Sequence, residues 1–486
     1  MKTEHRYLLL SAAVLFASAC SGSERTPVDT PAPPIAKPAS SLPKALSVVG
    51  TNDLHGHIEM LPLFGGYLNI LREHKQDAVL LIDGGDMFQG TLESNLQEGA
   101  PIVEAYNKLG YHAATIGNHE FDFGPVGEDA TVQSEGQDPR GALKARAAQA
   151  NFPFLGANIL DSENREPVAW PNVRPTAMAR VAGIEVGIIG VSTFETPSVT
   201  LAANFVGLSM HPLADTIAAQ AEALRSQGAQ VIVVAAHAGG DCKHFDDSTD
   251  ISSCSPEQEI MLVANQLPTK AVDVIVAGHT HRGMAHQING IAIIESYSYG
   301  AAFGRVDLLI APTGETSLQT IHPPRSLCLD KKDKRPDCDA GSYEGKPVQA
   351  DEELAALAKV AAGFAAKIRS KPLGIELTGP VLRSRSDASA LGNLFVDLML
   401  AAQPKADVAI NNGGSLRASL PQGNLLYGDL FEAMPFDNRF ALVTLRGQTL
   451  KKLIASNLRA DRGNLSIAGM RAKASCKQGD LAVTLT

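Results

Sequence analysis

Two aspartates, one asparagine and four histidines stand where five short apolar runs of this 486-residue chain end. Asp53 and His55 follow residues 45–50, Asp86 follows 79–82, and Asn118 follows 113–116. His237 closes 231–236, while His279 and His281 follow 274–277. Carboxylate, amide and imidazole groups together make a mixed oxygen and nitrogen donor set suited to divalent zinc, manganese or iron. Seven donors exceed one tetrahedral ion but suit two ions that share a bridging carboxylate. A lone Asp or His after a strand is ordinary turn or capping chemistry. Seven of them closing five separate runs are not explained that way, and the chemistry they imply is two-metal hydrolysis.

The runs themselves are rich in Val and Ile and bounded by Gly or Asp, so they read as buried strands. Binding residues of sheet proteins gather where such strands run out into loops along one edge. Asp53/His55 and His279/His281 are each two residues apart, so each pair is expected on one face of an extended chain. Helical stretches are expected at 100–109, 213–226 and 257–267. Residues 124–141 are polar and Gly-rich and read as an insertion near the mouth of the site. Within 351–369, apolar Leu354, Leu357, Ala358, Ala361, Phe364, Ala365 and Ile368 mark an amphipathic helix. Beyond it the pattern predicts a helix over 390–402, a strand over 406–410, a loop over 411–417, a strand over 440–445 and a helix over 448–458.

The local sequences Asp53-Leu-His55-Gly56-His57, Gly84-Gly85-Asp86, Gly117-Asn118-His119-Glu120, His237-Ala-Gly239 and Gly278-His279-Thr-His281 resemble the calcineurin-like metallophosphoesterases. Their order and spacing resemble the 5′-nucleotidase branch, which includes UDP-sugar hydrolases, from about residue 45 onward. The resemblance implies an α/β protein in three parts. A four-layer α/β/β/α metallophosphoesterase sandwich occupies 45–345, an inter-domain helix 346–373, and an α/β 5′-nucleotidase C-terminal domain 374–486. It implies that Asp53, His55, Asp86 and His281 hold one ion, and that Asp86, Asn118, His237 and His279 hold the other. Asp86 bridges them. Some nucleotidases carry Gln in place of His281, a change expected to shift metal preference rather than abolish binding. His119 resembles the residue that contacts the phosphoryl group or protonates the leaving alkoxide, with Asp122 orienting its ring. His57 is expected to support the ligands from behind, and Glu120 to support the loop.

In the second domain, Asn412-Gly-Gly-Ser-Leu-Arg417 resembles the family's substrate loop, with Arg417 on phosphate and Asn412 on substrate. Pro435-Phe436 resembles a segment whose Phe stacks on the nucleobase, and Arg383 and Arg385 are further phosphate candidates. The family's later Gly-Gly-Asp-Gly stretch and second stacking aromatic are not found before Thr486, so a shortened C-terminal domain is expected.

The formal net charge of −10 argues against a nucleic acid as the main partner. Lys2 and Arg6 precede an apolar run and Ala17-Ser18-Ala19-Cys20, the pattern of a signal peptide over 1–20 with lipidation of Cys20. Ser21 suits sorting to the outer membrane, and Pro-rich 21–44 reads as an extended tether. Cys242/Cys254 and Cys328/Cys338 read as loop staples, which leaves Cys476 over. The expected function is hydrolysis of phosphate esters of extracytoplasmic nucleotides for salvage, with two divalent ions such as zinc or manganese. Alternatives on the same site are a nucleotide-sugar pyrophosphate, a 2′,3′-cyclic nucleotide or thiosulfohydrolase chemistry. A non-catalytic metal-binding surface lipoprotein is the alternative of a different class.

Overall fold

The computed structural model describes residues 42–329, 338–384, 387–459, 465–477 and 480–486. Cys20, the tether up to residue 41 and Arg385 lie outside the described residues. Two sheets face each other in the first domain. One has seven strands in the order Thr316–Ser326, Ala302–Ile310, Lys44–Thr51, Val79–Asp83, Ala113–Thr115, Phe154–Leu155 and Val173–Arg174. The other has six, in the order Gly283–Ile288, Ile291–Ser296, Val274–Ala277, Val231–His237, Ile184–Ser192 and Thr176–Val181. The central strands of both sheets run parallel.

Alternation along the strands builds the layers. Leu80 and Ile82 point between the sheets, where they meet Ile188, Val233 and Val276. Val79 and Leu81 point outward against the helices Leu61–Lys75 and Ala100–Leu109. Leu213–Ser226 and Glu259–Gln266 cover the second sheet in the same way. Helix, sheet, sheet and helix make the four-layer sandwich that the motifs imply. Residues 124–140 contain no helix or strand, and helix Gly141–Gln149 follows them.

Helix Glu352–Arg369 starts where the Asp351 side chain accepts the amide hydrogens of Glu353 and Leu354. It buries Leu354, Ala361 and Ala365, but Phe364 stays 57% exposed. Its apolar stripe is therefore wider than the surface it packs on. In the second domain, Pro372–Leu377 pairs with Gly423–Leu426 and Ala409–Asn412 with Leu465–Ala468. The strand expected over 406–410 thus begins at Ala409 and runs to Asn412. Helices Ala390–Ala402 and Gly447–Arg459 match expectation, with Ser389 capping the first.

Residues 440–445 are not the expected strand; they have no regular structure, with Phe440 52% and Val443 73% exposed. Among the described residues no strand lies alongside them, and β-propensity without a partner ladder does not hold a strand. Cys242–Cys254 and Cys328–Cys338 are disulfide-bonded, and Cys476 is free and exposed. Each bridge closes a short loop and is worth about 3 kcal/mol on a chain-entropy account. Among the described residues no helix is long and apolar enough to cross a membrane.

Candidate metal centre and substrate cleft

His237 is the last residue of its strand and the other six donors sit just beyond the C-terminal ends of central parallel strands, so adjacent strands and the two facing sheets bring all seven to one edge. The chain bends sharply there. Asp53 (φ 51°), His55 (φ 50°), Asp86 (φ 58°), His279 (φ 81°) and His281 (φ 59°) all adopt left-handed backbone, which non-glycine residues rarely enter. This corrects the expectation of extended pairs. Turning the backbone at each ligand lets neighbours diverge, and His279 and His281 face different centres.

Asp53, His55 and His281 converge in one trio, and Asp86, His237 and His279 in another, with the donor atoms of each within 4.8 Å of one another. His55 Nε2 lies 3.0 Å from His281 Nε2, and His281 Nε2 lies 3.2 Å from Asp53 Oδ1. In the second trio His237 Nε2 is 3.1 Å from Asp86 Oδ2, 3.3 Å from His279 Nδ1 and 3.0 Å from Asn118 Oδ1. Asp86 Oδ2 is also 3.7 Å from His55 Nε2, so this carboxylate reaches both trios. Gly117 makes room for it, because a Cβ there would sit 2.2 Å from Asp86 Oδ1.

The donors fit divalent cations. Asp53 Oδ1 is buried with no well-formed hydrogen bond, only the His281 ring nitrogen 3.2 Å away, a costly state unless a cation meets it. Burial holds the His55 pKa well below its ordinary value and pushes His279 down to about 3, so both imidazoles are neutral with lone pairs available. Burial would raise the pKa of Asp86, yet His237 and His119 hold it well below the carboxylate range. Burial would likewise depress His237, but Asp86 outweighs it and pushes His237 up to about 10. The pocket calls for positive charge.

Outer partners fix the ring orientations, as metal-ligating histidines require. His55 Nδ1 donates to the Gln89 carbonyl at 2.7 Å, and His237 Nδ1 to the Gly84 carbonyl at 2.9 Å. Asn52 Nδ2 donates to Asp53 Oδ2 at 2.7 Å, and Asn118 Nδ2 to the Val199 carbonyl at 3.3 Å. The Glu120 carboxylate accepts the amides of Asp86, Met87 and Gly117, which holds the loop together. His57 pairs with Glu59 and packs against Tyr299 at 4.8 Å, away from both trios. Tyr299 in turn meets the rings of His55 and His281 edge-on. Asn52, Gln89 and Tyr299 went unnoticed in the sequence. Three of the acceptors, the carbonyls of Gln89, Gly84 and Val199, belong to the backbone and leave no residue signature.

His119 Nδ1 is 2.5 Å from Asp122 Oδ2. Burial disfavours the imidazolium, but Asp122 and Asp86 outweigh it and raise the His119 pKa. From the second domain, Arg417 brings Nη2 to 3.3 Å from His119 Nε2 and lies over the Phe436 ring at 5.1 Å. A cavity of about 380 Å³ is lined by Asp86, His119, His279, Asn412, Arg417 and Phe436. Arg383 donates to the Arg417 carbonyl and faces a second cavity of about 580 Å³, which also meets His55, Tyr299 and Arg417. Residues 124–141 line neither cavity.

Residues 46–283 match the model of the calcineurin-like phosphoesterases, and 367–481 that of the 5′-nucleotidase C-terminal domain. The chain is 27% identical over 435 residues to the Bacillus subtilis endonuclease YhcR, covering 85% of itself but 33% of that relative. It is 25% identical to protein UshA of Yersinia enterocolitica over 86% of itself and 77% of the relative. The solved 5′-nucleotidase precursor of Thermus thermophilus shares the fold, with a TM-score of 0.65 at 23% identity over 88% of this chain and 82% of that one. Two matched domains in this order, over a centre that presents two convergent donor trios, place the chain in the 5′-nucleotidase family of calcineurin-like metallophosphoesterases, hydrolases that work with two divalent metal ions.

Proposed function

We propose that the protein hydrolyses phosphate esters of nucleotides. In this reading Asp53, His55, Asp86 and His281 hold one divalent ion and Asp86, Asn118, His237 and His279 the other, with Asp86 shared. When bound, the two ions supply Lewis-acid activation of water and of the phosphoryl oxygens. Arg417 offers a planar fork to those oxygens, and Asn412 contacts the substrate beside it. His119 gives a proton to the leaving oxygen, and Asp122 keeps its ring in register. Phe436, which lines the same cavity beside Arg417, stacks on the base.

The observation that carries this reading is the convergence on one cavity of members of both donor trios (His281 of one, Asp86 and His279 of the other), the His119–Asp122 pair and Arg417. A second reading, a nucleotide-sugar pyrophosphate as substrate, is favoured by the cavity on the other side of Arg417, which could house a second substituent. Purified protein loaded with manganese or zinc is expected to release phosphate from AMP and to lose that activity to a chelator. Faster turnover of UDP-glucose or 2′,3′-cAMP would reassign the substrate. No phosphate release from any nucleotide would sink the proposal.

The site is further proposed to work outside the cytoplasm, anchored through lipidated Cys20. The signal-like N-terminus and the two disulfides support this. A Cys20→Ala protein should leave the membrane fraction, and its retention there would refute the anchor.

A further inference from the structure

The segment after strand Ile184–Ser192 belongs to none of the motifs, yet it touches the site twice. Its short helix Thr196–Val199 ends on two groups that face the cavity. The Val199 carbonyl accepts Asn118 Nδ2, which leaves the amide oxygen pointing at His237. The next residue, Thr200, donates its hydroxyl to Asp122 Oδ1 at 3.0 Å, while Asp122 Oδ2 faces His119 Nδ1. The segment is fixed from behind, since the Thr193 amide donates to the His237 carbonyl at 2.8 Å and Thr196 Oγ1 to the Thr193 carbonyl at 2.7 Å.

A carboxylate turns easily about its terminal torsion, whose energy well is broad. One hydrogen bond to His119 does not fix its plane. A second donor on the other oxygen does, and a β-branched Thr is itself stiff at χ1. We propose that Thr200 is a positioning residue: its hydroxyl locks the Asp122 carboxylate so that the His119 ring stays aligned with the cavity. The proposal rests on the reading of His119 and Asp122 given above.

Thr200→Val keeps the shape and removes the donor. It is expected to lower kcat about tenfold, short of the roughly hundredfold that a full 1 Å misplacement can cost, with KM and metal content unchanged. Thr200→Ser should recover most of the loss, and Thr200→Ala serves beside Val should the latter fail to fold. A packing role would not give the decisive signature, which is that Asp122→Asn with Thr200→Val is no slower than Asp122→Asn alone. Wild-type turnover in Thr200→Val and Thr200→Ala would overturn the proposal, as would losses that multiply in the double variant. If Asp122→Asn itself turns over normally, the reading of the pair fails and the Thr200 proposal fails with it. If Asp122→Asn is slow and Thr200→Val is not, only the latter fails.

Discussion

Gly117→Ala adds one methyl group at the most crowded point of the centre. Its carbon would sit 2.2 Å from Asp86 Oδ1 and 2.6 Å from the Asp86 amide nitrogen, well inside van der Waals contact. Neither atom can easily withdraw. The amide donates to Glu120 at 3.0 Å, and Oδ1 accepts the His119 amide at 2.9 Å. Relief must come from moving the loop or swinging the carboxylate, and such overpacking costs about 1–3 kcal/mol. A displaced Asp86 serves both trios badly, so metal affinity should fall roughly 10–100-fold, the scale of disturbed ligand orientation. Calorimetric titration with manganese or zinc reads the affinity, and thermal melting with and without chelator separates the loss of fold from the loss of metal. Two ions bound at wild-type affinity would show that Asp86 is not held where the structure holds it, and the shared-carboxylate argument would fall.

Gly363→Ala is the converse case: the site lies inside helix Glu352–Arg369, and nothing stands within 4 Å of the added carbon. It should stabilise the fold by about 0.5–1 kcal/mol, seen as a higher melting temperature; a lower one would contradict the open space. Asp307 is held well below the ordinary carboxylate range, because hydrogen bonds from His322, Arg305 and Ser47 outweigh a burial penalty that alone would raise it. A depressed folded pKa stabilises at pH above the unfolded value and loses that stabilisation as pH falls. Asp307→Asn should therefore cost about 2 kcal/mol at pH 7, less than a fully buried pair because Glu344 still meets Arg305. The gap to wild type should close progressively below about pH 4; denaturant melts that show the same gap at pH 3 and pH 7 would refute the ion-pair account. His119→Ala should lower turnover while both ions remain bound, as read by elemental analysis. Loss of metal with activity would make His119 structural.

The candidate donors were legible because metal chemistry demands particular side chains and buried parallel strands demand unbroken apolar runs. Val231–His237 announces both the strand and the donor at its end, and Asp86 follows Val79–Asp83 by three residues. The backbone at the ligands was not legible. Spacing by two suggested extended pairs, whereas the turns at Asp53, His55, His279 and His281 depend on the loops they enter. The outer partners were hidden for a related reason, since carbonyls such as those of Gln89, Gly84 and Val199 belong to every residue type. Residues 440–445, Phe-Ala-Leu-Val-Thr-Leu, carry strand propensity, but propensity is silent about whether a partner strand lies alongside. Thr200 lies 78 positions from Asp122, a separation that no local pattern bridges.

Left-handed backbone at five of the seven donors has a thermodynamic side. Each such residue costs on the order of 1 kcal/mol relative to a glycine in the same conformation. Without a cation, these five positions are places where the fold would be more stable with the simplest residue than with the one it carries. A selection for heat resistance alone would therefore erode the centre. A bound cation would offset that cost, so the strain is compensated in the loaded protein and not in the empty one.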